Sequence, residues 1–223
     1  MQMKLFDWLG REFVALSCEG DPGLAGDDGV AEILDRIGDK IRRVGYSLDD
    51  TVRTRLWGKD REGRDLGSQA RARLMQGKAR SASASFIAPE HFDSEGRVAL
   101  DFLAMRSDPE KKLIEYDPLI TPLRYLELDS MIFLSGVTAT LSTLPEQVVD
   151  IFARLGESLT DAGVSWENVV LVSFFLHRGE NLESLKAAVR DAVSIDPRRA
   201  EYAFVDGYSA KGKLVEIEVT ALR

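Results

Sequence analysis

The residue types that most often serve as nucleophiles, bases and metal ligands are scarce in this chain, which contains one cysteine and two histidines. Cys18 could act as a nucleophile only with a base beside it, and neither His91 nor His177 lies in a motif that would place an imidazole next to the thiol. A small residue near the end of a strand is more often part of a core. The same counts exclude an internal disulfide and argue against a zinc site, so we expect no bound metal.

Arginine is locally abundant. Between Arg53 and Arg80, nine basic residues face three acidic ones. A planar guanidinium can bind a carboxylate through two parallel hydrogen bonds, which makes such a stretch a candidate anion site. A solvated helix face carrying Arg64, Arg71 and Arg73 is the commoner explanation of such a stretch. The sequence leaves both interpretations open.

Charge and composition limit the possible functions. The net charge is −8 and the isoelectric point is about 5.0, which disfavours a broad nucleic-acid surface. The first ten residues carry Lys4 and Asp7 and resemble no secretory signal, and no segment approaches the roughly 18 apolar residues of a membrane span. We therefore expect a soluble, cytoplasmic protein that binds neither membranes nor nucleic acid.

A sequence pattern occurs twice, 118 residues apart. Gly45–Val52 returns as Gly163–Val170, and upstream, without a gap, Ser17-Cys18 returns as Ser135-Gly136. Two copies with a helix-then-strand order predict two small modules, because a solenoid needs three or more stacked units. We assign residues 1–106 and 123–223 to the modules. Residues 107–122 are charged, contain three prolines and are predicted to form a linker.

The periodicity within each copy predicts the order β-β-α-β-α-β-β. Apolar residues recur at helical spacing in Val30–Val44 and Leu144–Ala162, so these two helices should be equivalent. Thr51–Trp57 alternates as a half-buried strand does, whereas Val169–Leu176 is almost continuously apolar, as expected for a central strand buried on both faces. The predicted class is therefore α+β, with two tandem modules.

Three segments of the second copy closely resemble signature segments of the RidA (YjgF) family: Met131–Gly136, Gly163–Val170 and Gly212–Glu218. The resemblance covers almost all of the second copy and, more weakly, the first from Phe13 to Met105. It implies a chorismate-mutase-like module, a sheet with two helices on one face. It also implies a homo-oligomer, with a trimer favoured and ligand clefts between neighbouring modules, and the hydrolysis of 2-imino or enamino acids to 2-oxo acids and ammonia without a cofactor.

The resemblance also suggests site residues. The family's carboxylate-binding arginine follows an alanine at the start of the penultimate strand, which corresponds to Arg80 in the first copy, next to Ser81. Counting back from the last strand of the second copy places Glu201 at that position, where an acid would repel a carboxylate. The family tyrosine that precedes the first strand aligns with Pro122. Neither copy therefore carries the full set.

A second family element is an acid on the last strand that positions the hydrolytic water. It corresponds to Glu216 in the second copy and, by our alignment, to Asp101 in the first. The family Ser-Gly is kept as Ser135-Gly136 and becomes Ser17-Cys18 in the first copy. We therefore predict a site with Arg80 and Asp101 as catalytic residues and Ser81, Ser17 and Cys18 as binding residues. Glu201, Glu216, Ser135 and Gly136 are then their second-copy equivalents.

Three functions remain open. Hydrolytic deamination of a small carboxylate-bearing metabolite is the first. The second is a non-catalytic ligand-binding or assembly module, because divergence in both copies is what a lost site looks like. The third is another carboxylate-directed activity, since chorismate-cleaving enzymes contain modules of this fold, although they are longer. Ribonuclease activity, sometimes attributed to the family, fits poorly with the acidic isoelectric point.

Overall fold

A computed structural model describes residues 1–106 and 109–223, which form two modules of one sheet and two helices each. The elements of the first module are β1 (Gln2–Trp8), β2 (Arg11–Glu19), α1 (Gly26–Arg42), β3 (Thr51–Gly58), α2 (Arg61–Leu74), β4 (Ala82–Ile87) and β5 (Val98–Met105). Those that follow are β6 (Lys112–Ile114), β7 (Tyr125–Leu128), β8 (Met131–Leu134), β9 (Val137–Thr138), α3 (Leu144–Asp161), β10 (Val169–His177), α4 (Leu182–Ala192), β11 (Ala200–Val205) and β12 (Val215–Leu222). The predicted α+β class is confirmed.

The first sheet has the strand order β1-β2-β5-β3-β4, with β3 and β4 parallel and the other pairs antiparallel. Helix α1 buries the face that the sequence predicted, with Val30, Ile33, Ile37 and Ile41 fully inaccessible to solvent. Helix α2 begins at Arg61 because Asp60 caps it by accepting a 2.7 Å hydrogen bond from the Gly63 amide.

The second sheet has the order β11-β10-β12-β8-β7-β6, and β9 pairs with β12. Helix α3 begins as the sequence indicates, with Pro145 in its first turn and a reciprocal capping box between Thr143 and Glu146. Strand β10 lies between β11 and β12, as expected for a central strand.

Residues 112–114 add the edge strand β6, although the whole of 107–122 was predicted as a linker. Two apolar residues in this short segment are enough to pair with β7. Ser107 and Asp108 lie outside the described residues.

The two modules repeat each other down to a local irregularity. The pairing of β3 with β5 shifts register between Thr51 and Arg53, and that of β10 with β12 shifts between Val169 and Leu171, again 118 residues apart. The strands β3 and β10 are therefore equivalent residue by residue, with an offset of 118. This equivalence provides the register for comparing the functional positions of the two modules.

The sheets pack against each other through the faces that the helices leave free. Mixed apolar clusters join the modules: one includes Phe13 and Phe133, and another includes Trp57, Phe86 and Phe175. The last residue of β4, Ile87, exchanges 2.8 Å backbone hydrogen bonds with residues 206–207 of the second module. The end of the edge strand β4 is thus hydrogen-bonded to the second module.

Candidate functional site between the modules

The start of β4 enters a bulge in the second module. The amide of Ser83 donates to Ser135 Oγ at 3.1 Å, and the carbonyl of Ser83 accepts a hydrogen bond of 3.2 Å from the amide of Gly136. These groups are free to bond across the interface because β8 stops at Leu134 and pairing resumes only at Val137. The family-like Ser-Gly pair therefore receives a strand from the other module.

The strand register shows why the pair is available in one module only. Phe133 pairs with Thr220 but Val137 pairs with Ile217, so one extra residue is accommodated between β8 and β9. In the first module the pairing of β2 with β5 runs without interruption through Ser17. No equivalent bulge exists there among the paired residues of these two strands.

The prediction of Ser17 and Cys18 as binding residues at the Arg80 site is wrong. Cys18 is 1% exposed within the core beneath α1, and burial raises the pKa of its thiol. Ser17 lies on the opposite face of the sheet, in a different cavity from that of Arg80. The uninterrupted strand directs one of these side chains into the core and the other away from Arg80.

A cleft of about 250 Å³ lies where β4 and α2 meet the segment that precedes β7. From the first module it is lined by Thr54, Arg71, Ala72, Met75, Gln76, Arg80, Ser81 and Ser83, and from the rest of the chain by Leu119, Ile120, Thr121, Pro122 and Leu123. Pro122 occupies the position that the resemblance gives to a tyrosine. The described lining residues include two arginines and three hydroxyl side chains from the first module but no carboxylate, so the cleft suits a small anion.

Arg80 lies just before β4 begins, as the sequence indicates, and its side chain is half-buried. Its guanidinium binds the carboxylate of Glu115 in parallel, with Nη1–Oε1 at 2.8 Å and Nη2–Oε2 at 2.9 Å. This is the two-bond geometry by which arginine binds a free carboxylate. Glu115 follows β6 directly, so a carboxylate of the chain itself is paired with the arginine that was predicted to bind the substrate.

Arg71 is a second arginine of the cleft, and the sequence did not single it out. It is 6% exposed and donates a 2.6 Å hydrogen bond to the carbonyl of Ala84. Burial and the neighbouring charge of Arg64 lower the pKa of Arg71 to about 10. No carboxylate of the described residues lies within ion-pair distance of it.

The interpretation of the basic stretch as a solvated helix face is therefore wrong for Arg71. It is also wrong for Arg64, whose side chain is 13% exposed and donates to Ser85 Oγ at 2.5 Å. A signal was present: Gly63, Gly67 and Arg71 recur every four residues, and glycines at this spacing allow one helix face to approach a sheet closely. Arg71 belongs to that face.

Glu216 is the acid that the second module brings to the bulge. It is 6% exposed and packs against Gly136, where an added Cβ would lie 2.8 Å from the carboxyl carbon. Burial, and secondarily the charge of Glu218, raise the pKa of Glu216 to about 8, although Lys213 and Arg71 oppose the shift. A carboxyl that titrates near neutrality can exchange protons during a reaction.

Asp101 is not brought together with Arg80, so their prediction as one catalytic pair is wrong. Asp101 accepts a 2.8 Å hydrogen bond from Trp57 Nε1 and lies on the inner face of the sheet. It pairs with Arg55, and in the second module Glu218 pairs with Ser173, the residue 118 positions after Arg55. Asp101 is therefore equivalent to Glu218, and the position of Glu216 corresponds to Ala99.

The alignment of Glu201 with Arg80 is also corrected by the register. Ala84 pairs with Arg55 and Glu201 pairs with Ser173, so Glu201 is equivalent to Ala84. By the same offset Arg80 corresponds to Pro197. The error arose from counting back through the loop before the last strand, whose length is not fixed by the repeat.

Glu201 belongs instead to an ion cluster between the two sheets. Arg55 donates to Glu218 Oε2, Ser173 Oγ and Glu201 Oε1 at 2.8–2.9 Å. Arg53, 5% exposed, donates to Thr220 Oγ1 and to the carbonyls of Leu134 and Val219. The positive charges of the two arginines balance the negative charges of the two glutamates, and these ion pairs join the two modules.

Comparison with known proteins agrees with the fold. A family model described as Endoribonuclease L-PSP matches residues 123–223, which contain both Ser135-Gly136 and Glu216. The second module belongs to the RidA/YjgF family. The match covers less than half of the chain, so the first module is related to it by the internal repeat and by its fold. No curated protein matches the chain in sequence.

Solved structures show the extent of the fold likeness. A chorismatase structure is similar over 94% of this chain and 74% of its own, with a TM-score of 0.65 and 21% identity. The tandem arrangement is thus compatible with a known fold. A YjgF/YER057c/UK114 member from Mycobacterium tuberculosis and a YjgF member from Neisseria meningitidis each match 51% of this chain. They show 18% and 22% identity, cover 99% and 94% of their own chains, and both give a TM-score of 0.44.

Among residues 1–106 and 109–223, no helix combines the length and the apolar character that a bilayer crossing requires. The same residues contain no group of three or more histidine, cysteine, aspartate or glutamate side chains arranged to hold a metal ion.

Proposed function

We propose that the cleft between the modules binds a small 2-imino or enamino acid and hydrolyses it to a 2-oxo acid and ammonia. The observation that carries this proposal is the composite nature of the cleft. Arg80, Ser81 and Ser83 of the first module line the cleft, and Ser83 also bonds to the Ser135-Gly136 bulge of the second module, against which Glu216 packs. Each module supplies part of the set, which supports a site shared between them.

In this mechanism Arg80 binds the substrate carboxylate in place of Glu115. The ligand can displace Glu115 if its contact with Arg80 is more favourable in free energy than the Arg80–Glu115 pair. Partly exposed pairs of this kind contribute only about 0–1 kcal/mol. Holding the carboxylate fixes the position of the C=N carbon relative to the bulge. Ser81 and Ser83 offer further hydroxyl groups within the same cleft.

The chemical steps require one water molecule and no cofactor. Glu216, as a carboxylate, takes a proton from water while the water oxygen forms a bond to the C=N carbon, and the protonated Glu216 then gives this proton to the nitrogen. In the resulting carbinolamine, Glu216 takes the hydroxyl proton and passes it to the amino nitrogen as the C=O bond forms and the C–N bond breaks, so that ammonia departs and the carboxylate is restored. Because the iminium carbon is already electrophilic, positioning and electrostatics account for most of what the protein must supply. We place this reaction in the cytoplasm.

The test is hydrolysis of freshly generated 2-imino acids by the full chain. The expected result is a rate above the spontaneous one that falls by roughly tenfold to a thousandfold in Arg80→Ala, since a lost charged partner costs about 2–5 kcal/mol when desolvated. A wild-type rate equal to the spontaneous rate would remove the enzymatic proposal. An unchanged rate in Arg80→Ala would remove the site assignment.

Two observations favour a non-catalytic ligand-binding module as the second candidate. Glu115 holds Arg80 in a bidentate pair, and Pro122 stands where the resemblance implies a tyrosine. This candidate predicts that 2-oxo acids bind, that Arg80→Ala weakens their binding, and that imine hydrolysis is not accelerated. Binding and rate measurements on the same preparations distinguish the two.

A further inference from the structure

Arg71 is a buried cation with no carboxylate of the described residues within ion-pair distance, and Glu216 and Glu218 act on its charge only from farther away. Its one hydrogen bond within the described chain goes to a neutral carbonyl, that of Ala84. Burying a guanidinium without a counter-ion is unfavourable. Elsewhere in the interface the chain avoids this cost, because the buried Arg53 and the partly buried Arg55 face Glu218.

The arginine without a paired carboxylate, Arg71, is part of the candidate site. It lines the same cleft as Arg80, and no acid is present among the described lining residues. Arg80 already has a carboxylate partner in Glu115. A ligand with one carboxylate would replace Glu115 and leave Arg71 uncompensated. A ligand with two carboxylates would satisfy both arginines.

We propose that the ligand of this cleft is a small dicarboxylate, with one carboxylate bound by Arg80 and the second by Arg71. This inference rests on the proposed function, whose substrate class it narrows from 2-imino acids in general to those whose side chain ends in a carboxylate. The cleft volume of about 250 Å³ is below the 300–1,000 Å³ typical of drug-sized pockets, which suits a metabolite of a few carbons.

The decisive measurement compares two stable 2-oxo acids of equal chain length by isothermal titration calorimetry on the full wild-type chain. 2-Oxoglutarate has five carbons and two carboxylates, whereas 2-oxopentanoate has five carbons and one. We expect 2-oxoglutarate to bind about tenfold more tightly or better, which is the effect of one additional charge-assisted hydrogen-bonded contact. This comparison needs no variant and so does not depend on how a substitution affects folding.

Substitutions then assign the preference to Arg71. Arg71→Gln keeps a donor for the Ala84 carbonyl but removes the charge, and it should lose the preference through weaker 2-oxoglutarate binding while 2-oxopentanoate binding changes less than about twofold. Arg71→Lys keeps the charge and should retain part of the preference. Arg73→Gln is the matched control, because Arg73 is on the same helix but exposed, and it should bind both ligands as the wild type does.

The outcomes separate this inference from the function on which it rests. Equal affinity of the wild type for both ligands, or a preference that persists in Arg71→Gln, would overturn the dicarboxylate assignment and leave carboxylate binding at Arg80 in place. A wild-type protein that binds neither ligand would overturn both. Tighter binding of 2-oxoglutarate that is lost in Arg71→Gln and kept in Arg73→Gln supports both.

Discussion

Arg80 and Glu115 form a two-bond ion pair at the edge of the inter-module cleft, with nitrogen–oxygen distances of 2.8 and 2.9 Å. The side chains are 24% and 30% exposed, so water reaches both groups and the pair can open. Glu115 thus presents to Arg80 the same planar carboxylate that a ligand would present. Any carboxylate ligand must compete with it.

Removing the charge of Glu115 should therefore increase ligand affinity. Glu115→Gln is expected to tighten 2-oxo acid binding by about two- to fivefold, because a partly exposed pair contributes no more than about 1 kcal/mol. Calorimetric titration with 2-oxoglutarate measures this change. The matched control is Glu110→Gln, which removes the neighbouring exposed pair with Lys78. Affinity that is unchanged or weaker in Glu115→Gln would show that the pair does not compete with the ligand.

Much of the fold could be predicted from the sequence because the signals were local. The helix face of α1, the helix α3 and the apolar run of β10 each depend on side chains within one element, and each was predicted. The short edge strand β6 was missed, since its formation depends on pairing with β7 rather than on its own pattern.

The candidate site was harder to predict because it is assembled across the interface. Arg80 and Glu216 could each be assigned from a resemblance within one module, but nothing local indicates that the bulge of the second module receives Ser83 of the first. From the sequence alone, the partner predicted for Arg80 was therefore a residue of its own module, Asp101. Arg71 was overlooked because a charged residue at helical spacing is usually exposed.

Gly136 should be required for the position of the Glu216 carboxyl. A methyl group at residue 136 would overlap that side chain and displace it. Gly136→Ala is expected to lower the rate of imine hydrolysis by tenfold or more, with a smaller loss of 2-oxo acid binding at Arg80. In the control Gly156→Ala, the added Cβ would lie 3.4 Å from Trp166 Nε1 and should cause little change. Full activity in Gly136→Ala would contradict the role given to Glu216.

Arg55 should contribute strongly to stability, since it neutralises Glu218, which is fully buried. Arg55→Ala leaves that carboxylate without its main partner and is expected to lower the free energy of unfolding by about 3–5 kcal/mol. Chemical denaturation measures the loss. Arg36→Ala, which removes the partly exposed pairs of α1 with Glu32 and Asp21, should cost less than about 1 kcal/mol. Similar losses in the two variants would contradict the importance of the interface cluster.

We also expect the chain to self-associate, with a trimer of tandem chains favoured. The inner face of the first sheet remains open at a cavity lined by residues that include Lys4, Phe6 and Leu103, and Phe204 on an edge strand is 41% exposed. Sedimentation velocity at micromolar concentration measures the assembly. A stable monomer under these conditions would contradict this prediction.

Glu216 should make stability and activity depend on pH in opposite directions. Its pKa is about 8 in the folded protein and about 4.5 in the unfolded chain, so only the unfolded state ionises between these values. The stabilisation it provides is complete below about pH 4.5 and is lost as the pH rises through about 8.

Imine hydrolysis, which requires the carboxylate, should instead increase with a midpoint near pH 8. Glu216→Gln should abolish that rise and raise the free energy of unfolding at pH 8 by about 1–3 kcal/mol. The control Glu157→Gln, on the exposed side of α3, should retain both pH dependences. A wild-type rate that does not change between pH 6 and pH 9 would remove Glu216 from the mechanism.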